Sequence, residues 1–576
     1  MADHARTGVE PESTGTYIPP VAPQRRMMIA VLALAVAMVT MDGTIVGVSL
    51  PSIIDDLDLD FTQAQWVLCV YPLLIAVLLI VLSRMGDRFG RRMTLIAGVV
   101  LFVVGSIIAA AADTPGPLVW GRIVQGVGAA AVLAGSLSVM LTALRGRHRA
   151  VAFTVWGIAI AASAVVGALL GGWFTHSFTW PWIFLINVPI GIVVLIGSRV
   201  LPETRIGAAA SGPDVDGWLL ATAGFALTIY ALVEAQRYGW GKPQLQFTVL
   251  GLKWSMNSST SPLPLILVIG VFLLVLFVFW ERHRVKVEHA ALVDFSRLGE
   301  PRHWGDAAMF LVAFAQFGLL FALPLYLVNS LGLSTLRSGF VVAALTGGAL
   351  VAGLLSLGPA RPLHPVWRVR VGLAIAMITI LVTAFALTAT TSAWVPAILL
   401  TCYGIGIGFA TPPLTGRLSI AAPRSSSDAG SATVLTARCA GAALGVAVLG
   451  GTLSIALGHF LPDRLGTVGG LVPGAADAVA EATRDSAGGA IGGLRAGHAP
   501  GVVTDALAAG FADATRVALL GAAIALLLAF LAATRIPLEP KRDASAVPDD
   551  AVPAPAAGIA EPDTGAEPVE SDSGRS

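Results

Sequence analysis

The chain has 576 residues, of which 56% are apolar and 12% charged, and its formal net charge is +1. A soluble globular protein carries roughly a quarter of its residues as charges, so a water-soluble fold of this makeup could not cover its surface. The charge balance gives no footing for a nucleic-acid partner.

The apolar residues gather into continuous blocks of about the 20 residues that cross a hydrocarbon layer. Backbone groups there must be satisfied within the segment, which favours helices over a barrel, and the fold class is read as all-α membrane. A polar leader up to Arg26 runs into a block that is full-length for a span and lacks a small-residue cleavage pattern, so Met27 onward is expected to be the first anchor. Fourteen spans are expected, near 27–50, 64–83, 93–112, 116–142, 150–173, 181–201, 217–236, 263–281, 306–329, 338–357, 369–389, 394–416, 429–457 and 513–534.

Orientation follows from the 36 Lys and Arg. With both termini cytoplasmic, the clusters Arg84/Arg88/Arg91/Arg92, Arg145/Arg147/Arg149 and Arg282/Arg284/Lys286 all lie inside, while the first outer loop, with Asp55, Asp56, Asp58 and Asp60, has no basic residue. A multi-pass protein of the cell inner (plasma) membrane is expected. The stretch 458–512, rich in Gly, Ala and scattered charge, is expected to be an outer loop holding an amphipathic helix, and is given no functional role. The tail after Arg542 has too few large apolar residues to fold alone and is expected to be disordered. Cys69, Cys402 and Cys439 lie in apolar blocks and read as small core residues, not as a metal site or disulfide framework.

An ionisable side chain deep in a bilayer costs roughly 2.5–3.5 kcal/mol on insertion scales, so each needs a reason. Asp42 falls in the first span, Arg122 in the fourth and Arg438 about three turns into the thirteenth, whereas Glu234 and Asp306 are close enough to span ends to reach water. Asp42 reads as a proton carrier, with a helix-bending residue hydrogen-bonded to a neighbour as the plainer alternative. Arg122 cannot lose its charge, so it either tunes a protonatable partner or ties a helix to backbone carbonyls. Arg438 reads as structural. In the cytoplasmic run Ser83-Arg-Met-Gly-Asp-Arg-Phe-Gly-Arg-Arg92, Gly90 can supply a positive φ and Asp87 can cap a helix N-terminus, while the arginines hold the loop at the anionic leaflet. In the fifth span Gly157, Gly167, Gly171 and Gly172 form a strip on which another helix can pack closely.

Several stretches resemble the major facilitator superfamily, specifically its fourteen-span drug:proton antiporter branch, from about Arg25 to Arg535. Met41-Asp-Gly-Thr-Ile-Val-Gly-Val-Ser-Leu-Pro51 is similar to that branch's first-span signature, with Gly47 where Asn is usual. Gln65-Trp66 with Tyr71 follows, and Ser83 to Arg92 resembles the loop motif of the superfamily, with Ser83 for its first Gly. Leu118 to Ala130, containing Arg122, Gln125, Gly126 and Gly128, is similar to the fourth-span motif. Trp180-Pro-Trp-Ile-Phe-Leu-Ile-Asn-Val-Pro-Ile-Gly191 resembles the sixth-span signature, with Pro181 for Arg, and Ala429-Gly430-Ser431 with Arg438 to Gly445 resembles the thirteenth span. Gly167-Ala168-Leu169-Leu170-Gly171-Gly172 resembles the antiporter motif but has Ala168 where its proline would stand, and Ser163 replaces another Gly. No second copy of the loop motif is identified in Gly358 to Arg370.

The resemblance implies a major facilitator fold: a tail 1–26, a six-helix bundle 27–201, two inserted helices with linkers in 202–300, a second six-helix bundle 301–535 that carries the loop 458–512, and a tail 536–576. It implies proton coupling through Asp42 and Arg122, a conformational latch of Asp87, Arg88, Gly90 and Arg91, and helix packing at the four fifth-span glycines. The expected function is secondary efflux of drug-like or antibiotic small molecules in exchange for protons by alternating access, by a monomer in the lipid bilayer with no cofactor beyond the proton motive force. The chain contains no Gly-x-x-x-x-Gly-Lys-[Ser/Thr] loop for nucleotide drive, and no catalytic constellation points to an enzyme. With Asp42 as the one acid in mid-membrane, neutral, zwitterionic or monocationic cargo is preferred. A facilitator or proton symporter of the same fold, or a transport-inactive sensor or scaffold, are the alternatives.

Overall fold

The computed structural model describes residues 22–144, 146–204, 214–249, 252–255, 258–287, 292, 295, 301–357, 363–420, 427–469 and 473–537. The expectations for most of the leader, for the start of the segment Gly358 to Arg370 and for the tail after Arg542 lie outside the described residues.

Among the described residues fourteen helices are long and apolar enough to cross a membrane, matching the expected number. The first part of the chain forms α1 (Ala22–Leu57), α2 (Phe61–Phe89), α3 (Arg91–Ala110), α4 (Pro115–Ala143), α5 (Gly146–Ser177) and the paired segments α6 (Trp182–Leu185) and α7 (Asn187–Gly197), which together make the sixth span. α8 (Val215–Tyr238) and α9 (Leu263–Lys286) follow, joined through a small antiparallel hairpin, β1 (Phe247–Val249) against β2 (Leu252–Trp254), with Thr248 opposite Lys253. The hairpin was not foreseen from sequence. The last part forms α10 (Pro301–Leu325), α11 (Thr335–Leu357), α12 (Pro365–Ala386), α13 (Trp394–Ile420), α14 (Ser427–Gly466), the short α15 (Pro473–Asp485) and α16 (Gly489–Ala496), and α17 (Gly501–Thr534). Because spans alternate in direction, α1 begins and α17 ends on one face, called here the near face; the other is the far face.

Helices α1–α7 pack among themselves, chiefly α3 on α4, α1 on α5 and α2 on α4, and so do α10–α14 with α17. The two groups meet along two seams, α5 against α11 and α2 against α14. α8 stands across the second seam, touching both α2 and α14. The Trp218 indole donates to the Val77 carbonyl at 3.0 Å, and buried Asp214 accepts from the Gly217 amide (2.9 Å), Trp280 (3.1 Å) and Arg284 (3.2 Å), fastening α8 and α9 together. Large apolar side chains along α9, such as Val268, Phe272 and Phe279, point outward, as a lipid-facing helix requires.

Span ends differ from expectation where polar residues hide helix. The first span does not stop at Pro51 but continues to Leu57, and α2 then starts on a capping box in which Asp60 accepts from the Gln63 amide (2.7 Å) while its own amide donates to the Gln63 side chain (3.0 Å). α17 begins at Gly501 instead of 513, its charged Asp513 being taken up by Arg464 and Arg516. The expected loop 458–512 is therefore shorter, because α14 runs to Gly466, and it holds α15 and α16. Pro324 lies just before a π-turn, Tyr326–Ser330, that ends α10 on the far face. A π-turn disturbs the regular ladder, and Arg495 from α16 takes the Asn329 and Ser330 carbonyls, both at 3.0 Å.

Candidate functional site

Four helices of the first group bring polar side chains to one point inside the apolar core. Asp42 on α1 is 0% exposed and Arg122 on α4 is 1% exposed, and they form an ion pair. One turn on from Arg122, Gln125 donates to Asp42 Oδ1 at 2.9 Å and accepts from Arg122 at 2.9 Å. Asn187, the first residue of α7, also donates to Asp42 Oδ1 at 2.9 Å. Ser106 of α3 closes the cluster, accepting from Gln125 (2.8 Å) and Asn187 (3.2 Å) while donating to the Phe102 carbonyl (2.9 Å).

Arg122 is held on its other sides too. Its Nε donates to the Val67 carbonyl at 3.2 Å, and its guanidinium lies 4.4 Å from the centre of the Tyr71 ring, whose hydroxyl donates to the Val39 carbonyl at 2.9 Å. Arg122 thus has both a carboxylate partner and a backbone tie. One negative and one positive charge make the cluster neutral, which is what permits it to sit away from water. The Asn187 Oδ1 atom is buried without a partner.

The fifth-span glycines do not form one strip. A side chain on Gly167 would come within 2.7 Å of the Met41 carbonyl, and one on Gly171 within 2.7 Å of the Ile45 carbonyl, so these two let α5 press against α1 on either side of Asp42. Gly172 faces the other group, 3.0 Å from the Thr335 carbonyl as measured from an added Cβ, and Gly157 meets nothing within 4 Å. Gly157 is therefore not a packing residue in this conformation.

At the near face the loop residues are arranged as follows. Gly90 has φ +122°, the conformation expected of it, and the Glu203 carboxylate sits where a side chain on Gly90 would project. Glu203 also accepts from the Arg92 amide at 3.3 Å. Asp87 does not cap a helix: it lies within α2 and pairs with buried Arg91 at 2.7 Å, while Arg88 is exposed over the Phe89 ring.

Toward the far face the two groups are sealed. Gln65 on α2 donates to the Val446 (3.0 Å) and Ala447 (3.3 Å) carbonyls of α14 and accepts from Gln236 of α8 at 2.5 Å. Trp66 donates to Glu234 of α8 at 2.8 Å, Phe61 meets Phe321 edge-on at 5.5 Å, and Ser52 and Thr335 share a hydrogen bond of 3.1 Å. Below this seal lies a cavity of about 10 Å³, roughly one water, bounded by Gly47, Tyr71 and Arg122 on one side and Phe317, Leu320 and Val446 on the other. Gly47 faces α10, where a Cβ added to it would stand 3.4 Å from the Leu320 carbonyl. Ser106 was not singled out from sequence, and Gln65 and Asn187 entered only within motifs that resemble the family's, without a role; the further signal available was a lone amide or hydroxyl within an otherwise apolar block.

A bundle of fourteen apolar helices in two groups, with a charged pair beside a cavity lined from both, is the architecture of a membrane transporter. Residues 32–446 match the family described as Major Facilitator Superfamily, and the chain belongs to that family. It is 32% identical over 474 residues to the puromycin resistance protein of Streptomyces alboniger, covering 80% of this chain and 88% of that one. It is 28% identical over 517 residues to the tetracenomycin C resistance and export protein of Streptomyces glaucescens, covering 86% and 90%. The probable actinorhodin transporter of Streptomyces coelicolor is 31% identical over 461 residues, covering 77% of this chain and 75% of that protein. Among solved structures, a bacterial homologue of the human lysosomal transporter Spinster has the same fold, with a TM-score of 0.54 at 18% identity over 90% of this chain and 98% of that one. The chain is thus a multi-pass membrane transporter and not an enzyme.

Proposed function

We propose that this transporter exports antibiotic-like small molecules in exchange for protons, by alternating access, from a cell membrane in which the near face is cytoplasmic. The observation that carries this reading is the fully buried Asp42–Arg122 pair beside a cavity lined by both helix groups. The kinship with resistance and export proteins supports the cargo class.

Asp42 is the proton carrier. As a carboxylate it accepts from Arg122, Gln125 and Asn187; a proton on it cancels the ion pair and leaves the Arg122 charge without its anion, so protonation and the arrangement of the cavity wall are tied together. In the described conformation the far side is shut and the cavity is too small for a drug-sized molecule, so cargo enters by separation of the groups at the near side. The Asp87–Arg91 pair, with Arg88 and Gly90, latches the alternate state in which the near side is shut. No cofactor is required: each proton moving inward across 100 mV contributes about 2.3 kcal/mol, or roughly a fiftyfold gradient at one-to-one coupling.

The test is a panel of structurally unrelated antibiotics, including puromycin and tetracenomycin C, applied to an efflux-deficient host expressing wild type, Asp42→Asn or Arg122→Ala at equal membrane abundance. Wild type is expected to raise tolerance to at least one compound and both variants to lose that protection. Equal protection by Asp42→Asn and wild type removes Asp42 from the mechanism, and no protection by wild type against any compound favours a transport-inactive role.

A further inference from the structure

Among the described residues, most charged side chains within the spanning helices have partners. Arg122 has Asp42, Arg284 has Asp214, Arg464 and Arg516 share Asp513, and Arg370 caps α17 through the Ala533, Thr534 and Ile536 carbonyls. Arg438, about three turns along α14 from Ser427, is partly buried, and among the described residues no hydrogen bond, ion pair or ring contact reaches its guanidinium. The expectation that Arg438 is structural therefore finds no structural partner. A guanidinium keeps its charge at any ordinary pH, so at this depth it requires an anion.

The described side chains grouped with its neighbour in the chain are chiefly apolar. The next residue, Cys439, is buried in the same cluster of apolar side chains as Tyr71 of α2 and Ala440, against which Leu435, Phe310 of α10 and Trp156 of α5 pack. The Trp156 indole nitrogen and the Thr436 hydroxyl are both buried without a hydrogen-bond partner. Among the described residues Arg438 is thus an unmatched positive charge, and the carboxylate of Asp42 is already neutralised by Arg122. The expectation of neutral, zwitterionic or monocationic cargo counted Asp42 as the one acid in mid-membrane, and that carboxylate is already paired with Arg122.

We propose that Arg438 is a specificity-determining residue that binds the acidic group of an organic anion, a carboxylate or ionised phenol carried on an apolar ring system. This assignment rests on the export reading for its biological sense, because it names the chemical class of the cargo. A bidentate guanidinium contact to a carboxylate would supply the anion that no described residue provides.

Full-length protein in nanodiscs is tested for equilibrium binding of tritiated 2-naphthoate and of 2-naphthamide, which has the same rings and size without the charge. Wild type is expected to prefer the naphthoate. Arg438→Gln is expected to weaken naphthoate binding about tenfold or more while leaving naphthamide within about twofold, which also reports that the variant is folded. Arg438→Lys, which keeps the charge, is expected to recover most of the naphthoate affinity. Equal binding of both probes by wild type, binding of neither, or a parallel loss of both in Arg438→Gln overturns the assignment. Binding at equilibrium needs no gradient, so the two readings fail separately: absent pH-driven flux with the charge preference intact sinks the antiport reading alone, and intact flux with an unchanged naphthoate affinity in Arg438→Gln sinks this one alone.

Discussion

Asp42 and Arg122 form one unit in which neither charge is tolerable without the other. Removing one partner of a buried pair typically costs 3–5 kcal/mol because the survivor is left uncompensated. Arg122→Ala is therefore expected to lower stability by about 3 kcal/mol or more, read from denaturant or thermal unfolding of the purified protein. The double variant Asp42→Asn/Arg122→Gln, neutral and similar in shape, is expected to recover most of that stability while remaining unable to respond to pH. Strict additivity of the losses in Asp42→Asn and Arg122→Gln, measured singly, would contradict the pairing. At this scale the sequence was readable wherever a full charge interrupted an apolar block, which exposed Asp42, Arg122 and Arg438. Asn187 and Ser106 were given no role because a single neutral amide or hydroxyl in an apolar helix is common, and only the folded chain brings them to Asp42.

The helix contacts around Asp42 are set by absent side chains. Gly171 has the Ile45 carbonyl 2.7 Å from where a methyl group would stand, and backbone cannot move aside as a flexible side chain can. Gly171→Ala is expected to cost about 1–3 kcal/mol and to reduce transport, whereas Gly157→Ala, with nothing within 4 Å, is expected to change stability by less than about 0.5 kcal/mol. Unfolding of both variants side by side checks this, and equal effects would show that α5 does not press on α1 as described. Hydropathy made the existence of every span legible, because each must satisfy its own backbone in lipid. It did not give the ends: the first turns of α17 carry Asp505 and Asp513, and α14 extends well beyond its apolar block to Gly466. Nor could it separate Gly157 from Gly167, Gly171 and Gly172, since which face of α5 meets which neighbour is a tertiary property.

For the whole molecule, two helix groups joined by two seams, with α8 bridging one, are closed at the far face by Gln65, Trp66, Ser52 and Phe61. Exchange requires that this seal break while the near side shuts, and that the proton on Asp42 decide which state is favoured. The most direct measurement reconstitutes the purified chain in liposomes and follows a labelled form of the compound to which it gives the greatest tolerance, after an imposed pH step with correct insertion verified. Wild type is predicted to move the compound against the proton flow and to stop when the step is collapsed, and Asp42→Asn to bind the compound without responding to the step. Flux that ignores the pH step, or an Asp42→Asn variant as pH-responsive as wild type, would contradict proton exchange at this carboxylate.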